Sequence, residues 1–121
     1  MRALGIDYGE RRIGLALSDP TGLLASPWKK IDNDRNVGAA AQRLAVEVNA
    51  LIAEPDGLDA IVIGLPRRLN GEPSEQTVRV QKLAQLLAQR ERNWRRRKQQ
   101  VDAMAAALIL QDFLDHQPRH R

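Results

Sequence analysis

Two short apolar runs, residues 3–6 and 13–17, flank a polar turn that contains Gly9, Arg11 and Arg12. The pattern predicts a strand, a tight glycine-containing turn and a returning strand. Asp7 closes the first run, a place where a carboxylate is costly unless something uses it. Folded as a hairpin, the segment puts Asp7 at the mouth of a sheet. Gly9 lets the chain turn sharply, and Gly14 allows close backbone approach in the second arm.

The remaining pattern builds an α/β unit around this hairpin. Asp19, Pro20, Thr21 and Gly22 signal a turn. Residues 23–31 can then return as a third antiparallel strand, with Pro27 favouring an edge position. Asp32, Asn33 and Asp34 offer helix caps. Within residues 37–52, Val37, Ala40, Ala41, Leu44, Val48, Leu51 and Ile52 fall on one helical face. Pro55, Asp56 and Gly57 end that helix. The β-branched run at residues 58–63 predicts a buried strand parallel to the first, joined to it by a right-handed crossover. Gly64, Leu65 and Pro66 close the strand, and their loop is expected near Asp7. Ser74 is the expected N-cap of a second helix over residues 75–89, and a third helix is expected over 101–114. The whole, residues 1–121, reads as a single α/β domain with a mixed sheet flanked by helices.

Composition narrows the chemistry. With no cysteine, disulfides and thiolate metal sites are excluded, and two histidines near the C-terminus make a poor zinc site. Oxygen ligands remain. No apolar run approaches the ~20 residues of a membrane span, and no secretory signal opens the chain, so a cytoplasmic protein without a membrane partner is expected. The net charge of +4 is unevenly spread. Arg90, Arg92, Arg95, Arg96, Arg97 and Lys98 are opposed only by Glu91 across residues 90–98. Such a cluster favours a polyanion through phosphate neutralisation, although a basic run is as often a solvated helix face. Trp94 can stack on a base or anchor the segment to the core.

A second carboxylate, Asp102, heads an alanine-rich run. In a helix it shares a face with Ala105, Ala106 and Ile109, and the alanines allow close approach to a sheet. By spacing alone Asp102 reads better as a first-turn acid complementing the helix dipole, while Asp7 reads equally as a turn residue accepting backbone N–H bonds. Taken together, the two acids suit Mg²⁺ or Mn²⁺, hard ions held by one or two carboxylates plus substrate phosphates. In two-metal phosphodiester cleavage, carboxylates hold ions roughly 3.5–4 Å apart. Two acids are few for that task.

Three segments carry a resemblance. GIDYGERRIGLALSDP, IVIGLPRRLNG and VDAMAAALILQ, in this order, resemble the YqgF family of RNase H-like nucleases. Its members are described as Holliday-junction-resolvase-like and as candidate pre-16S rRNA processing nucleases. Asp7, Gly9, Arg12, Ile13 and Gly14 match the first motif, Gly64, Leu65 and Pro66 the second, and Asp102 the acidic position of the third. The resemblance implies an RNase H-like fold, divalent-metal dependence and cleavage of structured RNA or branched DNA. It carries Asp7 and Asp102 over as catalytic metal ligands and Arg12 as a phosphate contact, beside Arg95, Arg96, Arg97 and Lys98 as the basic surface. Processing of the 5′ end of pre-16S rRNA in ribosome biogenesis is the implied role.

The chain departs from that family at one place. After the second helix the family has a further strand and an Asp-Glu-Arg-Leu-Thr-Thr-like motif whose Glu is a catalytic acid. Here Leu86, Leu87 and Ala88 run almost directly into the basic cluster, and Glu91 follows no apolar strand. The fifth strand of the family is therefore expected to be absent. An exposed edge beside residues 61–63 would be a liability, which argues that the natural protein carries a segment missing from this sequence. Three other functions compete with rRNA processing: a junction resolvase, a catalytically impaired nucleic-acid-binding module, and, least favoured, an actin- or sugar-kinase-like ATPase using the hairpin as a phosphate loop. Monomer and dimer both remain open, a two-fold junction favouring a dimer.

Overall fold

A computed structural model describes residues 2–21, 24–66, 68–101 and 107–113, with side chains described up to residue 90. The elements follow the order β1 (Ala3–Tyr8), β2 (Arg12–Ser18), β3 (Ala25–Asp32), α1 (Val37–Ala53), β4 (Ala60–Pro66), α2 (Glu75–Val101) and β5 (Ala107–Phe113). They form one five-stranded sheet in the order β3-β2-β1-β4-β5. β1 pairs antiparallel with β2, and β2 with β3, while β4 runs parallel to β1 and β5 parallel to β4. This is the mixed, helix-flanked sheet expected from the pattern. Pro27 lies on the outermost strand, β3, where its missing N–H breaks no central ladder.

Alternation along the strands divides the sheet into two unlike faces. On one, Leu4, Ile6 and Tyr8 of β1, Ile13 and Leu15 of β2, and Ile61, Ile63 and Leu65 of β4 are buried. They form a single cluster with Ala40, Ala41, Leu44, Ala45, Val48 and Leu51 of α1 and with Val80, Leu83, Ala84 and Leu87 of α2. The 3.6-residue period of each helix supplies the matching stripe. On the other face, Gly5, Asp7, Gly14, Ala16, Val62 and Gly64 line an open cleft of about 610 Å³.

Caps and ties hold the frame. Asn36, rather than Asp32, Asn33 or Asp34, caps α1, its Oδ1 accepting from the Ala39 N–H at 2.9 Å. Asn33 is diverted to the hairpin: its Nδ2 donates to the Gly9 carbonyl at 2.7 Å, and its Oδ1 accepts from the Arg35 N–H at 3.1 Å. Ser74 caps α2 as expected, accepting from the Thr77 N–H at 3.2 Å. At the start of β1, the buried Arg2 guanidinium donates to Glu54 Oε2 at 2.8 Å and to the Leu51 carbonyl at 3.4 Å.

The C-terminal part corrects two expectations. The helix expected over 101–114 is not formed at Ala107–Phe113, which instead pairs with β4 from Ala60↔Ala107 to Pro66↔Phe113. A fifth strand is therefore present, built from a different segment of the chain. The reason is backbone satisfaction. Without β5, the outer edge of β4 would carry a row of unpaired N–H and C=O groups, and pairing them outweighs the modest helical preference of an alanine-rich run. With that edge covered, the sheet itself no longer argues for a missing segment. The second helix also runs beyond residue 89, carrying the backbone of the basic cluster to Val101.

Candidate active site

The carboxyl ends of the parallel strands β1 and β4 converge with the N-terminal ends of α1 and α2, as a crossover fold requires. Asp7 is the penultimate residue of β1 and is exposed on the open face. Its cross-strand partner on β2 is Gly14. On β4, Ile6 pairs with Ile63, so Gly64 occupies the position next to Asp7. Asp7 thus stands between two residues without side chains, on a floor completed by Gly5 and Ala16. These small neighbours leave space above the sheet beside Asp7.

The hairpin turn shows which glycine is sterically required. A Cβ on Gly9 would lie 2.5 Å from the Arg12 carbonyl oxygen, whereas one on Gly14 would meet only the Asp7 Cβ, at 3.7 Å. Close backbone approach therefore belongs to Gly9, whose N–H donates to the Arg12 carbonyl at 3.0 Å. Gly14 keeps space clear above the sheet instead. Gly64 and Pro66 lie within β4 rather than in a loop after it, but Gly64 does border the same cleft as Asp7. Gln76 of α2 donates to the Tyr8 carbonyl and Thr77 to the Pro66 carbonyl, tying the start of α2 to the ends of both parallel strands.

Arg12 is exposed and lies two residues from Gly14 on β2, so it shares the face of Asp7. Lys30 of β3 pairs with Gly14 and also lines the cleft, a cation that sequence reasoning missed. Its signal was the antiparallel register of β3, which residue spacing alone did not provide. Asp102 lies outside the described residues, as do the side chains of Arg95, Arg96, Arg97 and Lys98. Among the described residues no group of three or more His, Cys, Asp or Glu could hold a metal ion. Asp19, Asp59 and Glu72 stay away from Asp7: Asp19 accepts from Thr21 Oγ1 and Asp59 from the Arg2 N–H, while Glu72 is exposed beyond β4.

A family model described as "RuvX: Holliday junction resolvase" matches residues 1–94. The chain belongs to the RuvX family. RuvX relatives extend the match over nearly all of it. A protein named "Putative pre-16S rRNA nuclease" from Pelotomaculum thermopropionicum is 33% identical, covering 100% of this chain and 91% of the relative. One of the same name from Gloeobacter violaceus is 35% identical over 93% of this chain and 82% of its own length. The first alignment runs over 145 positions against the 121 residues of this RuvX chain, so the relative carries residues that this chain lacks. The fold is that of the RNase H-like resolvases. The yeast mitochondrial Holliday junction resolvase Ydc2 superposes with a TM-score of 0.53 at 15% identity, covering 92% of this chain and 52% of that one. As a member of RuvX, the chain is a nuclease, a hydrolase of phosphodiester bonds.

Proposed function

We propose that this chain is a divalent-metal-dependent endonuclease of structured nucleic acid that processes the 5′ end of pre-16S rRNA, with Asp7 and Asp102 as its metal ligands. The observation that carries the reading is the setting of Asp7: an exposed acid at the end of β1, placed between Gly14 and Gly64 in the sheet and beside a floor of Gly5 and Ala16. A hydrated Mg²⁺ or Mn²⁺ fits such a position. It keeps several waters, takes an oxygen donor, and is completed by substrate phosphate oxygens rather than by an all-protein cage. When bound, the ion supplies an activated water and charge stabilisation for the leaving oxygen. The chain's own residues would set the strand in place: Asp7 by holding the ion, Arg12 by pairing with a phosphate from the same face, and the small floor by admitting the backbone. The relatives' names favour rRNA as substrate, and a ribosome-maturation role would place the protein in the cytoplasm. No helix among the described residues is long and apolar enough to cross a membrane.

The test is cleavage of an rRNA precursor in Mn²⁺ by the purified protein and its Asp7→Asn and Asp102→Asn variants. Losing metal-ligand stabilisation worth several kcal/mol should lower turnover on the order of a thousandfold in each, with the circular dichroism spectrum unchanged. Undiminished cleavage by Asp7→Asn would sink the proposal. A second reading, resolution of branched DNA, is favoured by the description of the family model. Parallel assays on a four-way junction decide between the substrates. Salt-sensitive binding without cleavage of either would instead identify a binding module.

A further inference from the structure

Lys30 stands across Gly14 from Asp7. Gly14 pairs with Asp7 on one side and with Lys30 on the other, so the three residues form one row across β1, β2 and β3. Two strand spacings separate the acid from the cation, roughly 10 Å between backbones. Lys30 is exposed and makes no hydrogen bond or ion pair among the described residues. Its neighbour Lys29 is committed elsewhere, with its ammonium 2.8 Å from Glu47 Oε2 on α1 and 4.3 Å from the centre of the Trp28 ring. The ladder between β2 and β3 shifts register between Leu15 and Ala16, opposite Trp28. Trp28, the extra residue at that shift, is half-buried and packs against the core cluster of the helix face, leaving Lys30 as the cation of β3 on the cleft side. The floor between Asp7 and Lys30 is apolar and small, made of Gly5, Gly14 and Ala16.

We infer that the β3 edge is a substrate-positioning wall: Lys30 grips a phosphate of the cleaved strand, on the flank of the site away from β4, while the sugar-phosphate backbone between it and Asp7 lies over the small-residue floor. The inference rests on the nuclease reading of Asp7 and adds to it a direction, the strand crossing the sheet from β1 toward β3. Charge complementarity chooses the occupant. Lys30 and Arg12 both present cations on this face, and the acid near them, Asp32, pairs in register with Arg12 rather than with Lys30. Exposed cations flanking an open floor are how proteins track a nucleic-acid backbone with little sequence preference.

Binding is measured by fluorescence anisotropy on a labelled rRNA precursor and a four-way junction, over a range of salt, in the Asp7→Asn background so that no cleavage occurs. Lys30→Gln should weaken binding severalfold and reduce the slope of log affinity against log salt by about 1, with Lys30→Arg restoring both. Lys82→Gln removes an exposed cation from α2 as the control for bulk charge. In the otherwise native protein, Lys30→Gln should raise KM more than it lowers kcat. An unchanged salt slope overturns the inference, as does an equal loss in Lys82→Gln. A change in thermal stability without a change in affinity also overturns it, by assigning the wall to packing against another part of the chain or a second copy. Because affinity is read without turnover, the Lys30 result stands apart from the cleavage result that decides the role of Asp7.

Discussion

The two faces of the sheet are made by the same strands and obey opposite rules. Toward the helices, every second residue is large and buried: Leu4, Ile6 and Tyr8 on β1, Ile61, Ile63 and Leu65 on β4. Toward the cleft, most intervening residues shrink, to Gly5, Gly14, Ala16 and Gly64, with Val62 on β4 larger and Asp7 as the acidic exception on β1. One face removes apolar surface from water and supplies stability. The other gives up packing to leave room beside a carboxylate. The contrast teaches that the site is bounded as much by absent side chains as by the charged one it displays.

Substitutions can break or sharpen this contrast. The largest change in stability belongs to the helix face. Leu44→Ala deletes a fully buried side chain at the centre of α1 and should cost about 2–5 kcal/mol, read from the denaturant midpoint. At temperatures where that variant stays folded, its cleavage should resemble that of the native chain. Asn36→Ala removes the cap of α1 and should cost about 1 kcal/mol by the same measurement. Gly14→Val reverses the pattern. Its new side chain starts in ordinary contact with the Asp7 Cβ, so stability should move by no more than about 1 kcal/mol, while cleavage falls sharply as the space beside Asp7 fills. If Gly14→Val cleaved normally, the empty floor would have no functional meaning.

Much of this arrangement could be read from residue order. The hairpin, the edge position of Pro27, the first helix and the parallel β4 rest on short-range periodicity and turn chemistry, which local physics decides. The helix-capping residue was harder to place. Three plausible caps precede Asn36, and the hydrogen bond from Asn33 to the Gly9 carbonyl, across 24 residues, decides which is free to cap. The C-terminal strand was hidden for a stronger reason. Alanine-rich residues 103–110 suit a helix locally, and only the open edge of β4 recruits Ala107–Phe113 as a strand. Lys30 was missed because its relation to Asp7 runs through two antiparallel registers. Asp7 itself stood out because an acid ending an apolar run violates the pattern around it.

The contact at Gly9 has a consequence for how the site is timed along the chain. Side chains alternate with a period of two, so advancing either arm of the hairpin by one residue would exchange the faces. Ile6 would then enter the cleft and Asp7 the hydrophobic layer. The N–H of Gly9 meeting the Arg12 carbonyl, at a separation that no side chain on Gly9 could tolerate, admits only one phase of the two arms. A turn far too small to touch substrate thereby acts as the indexing pin of the enzyme, determining which half of each strand faces the cleft.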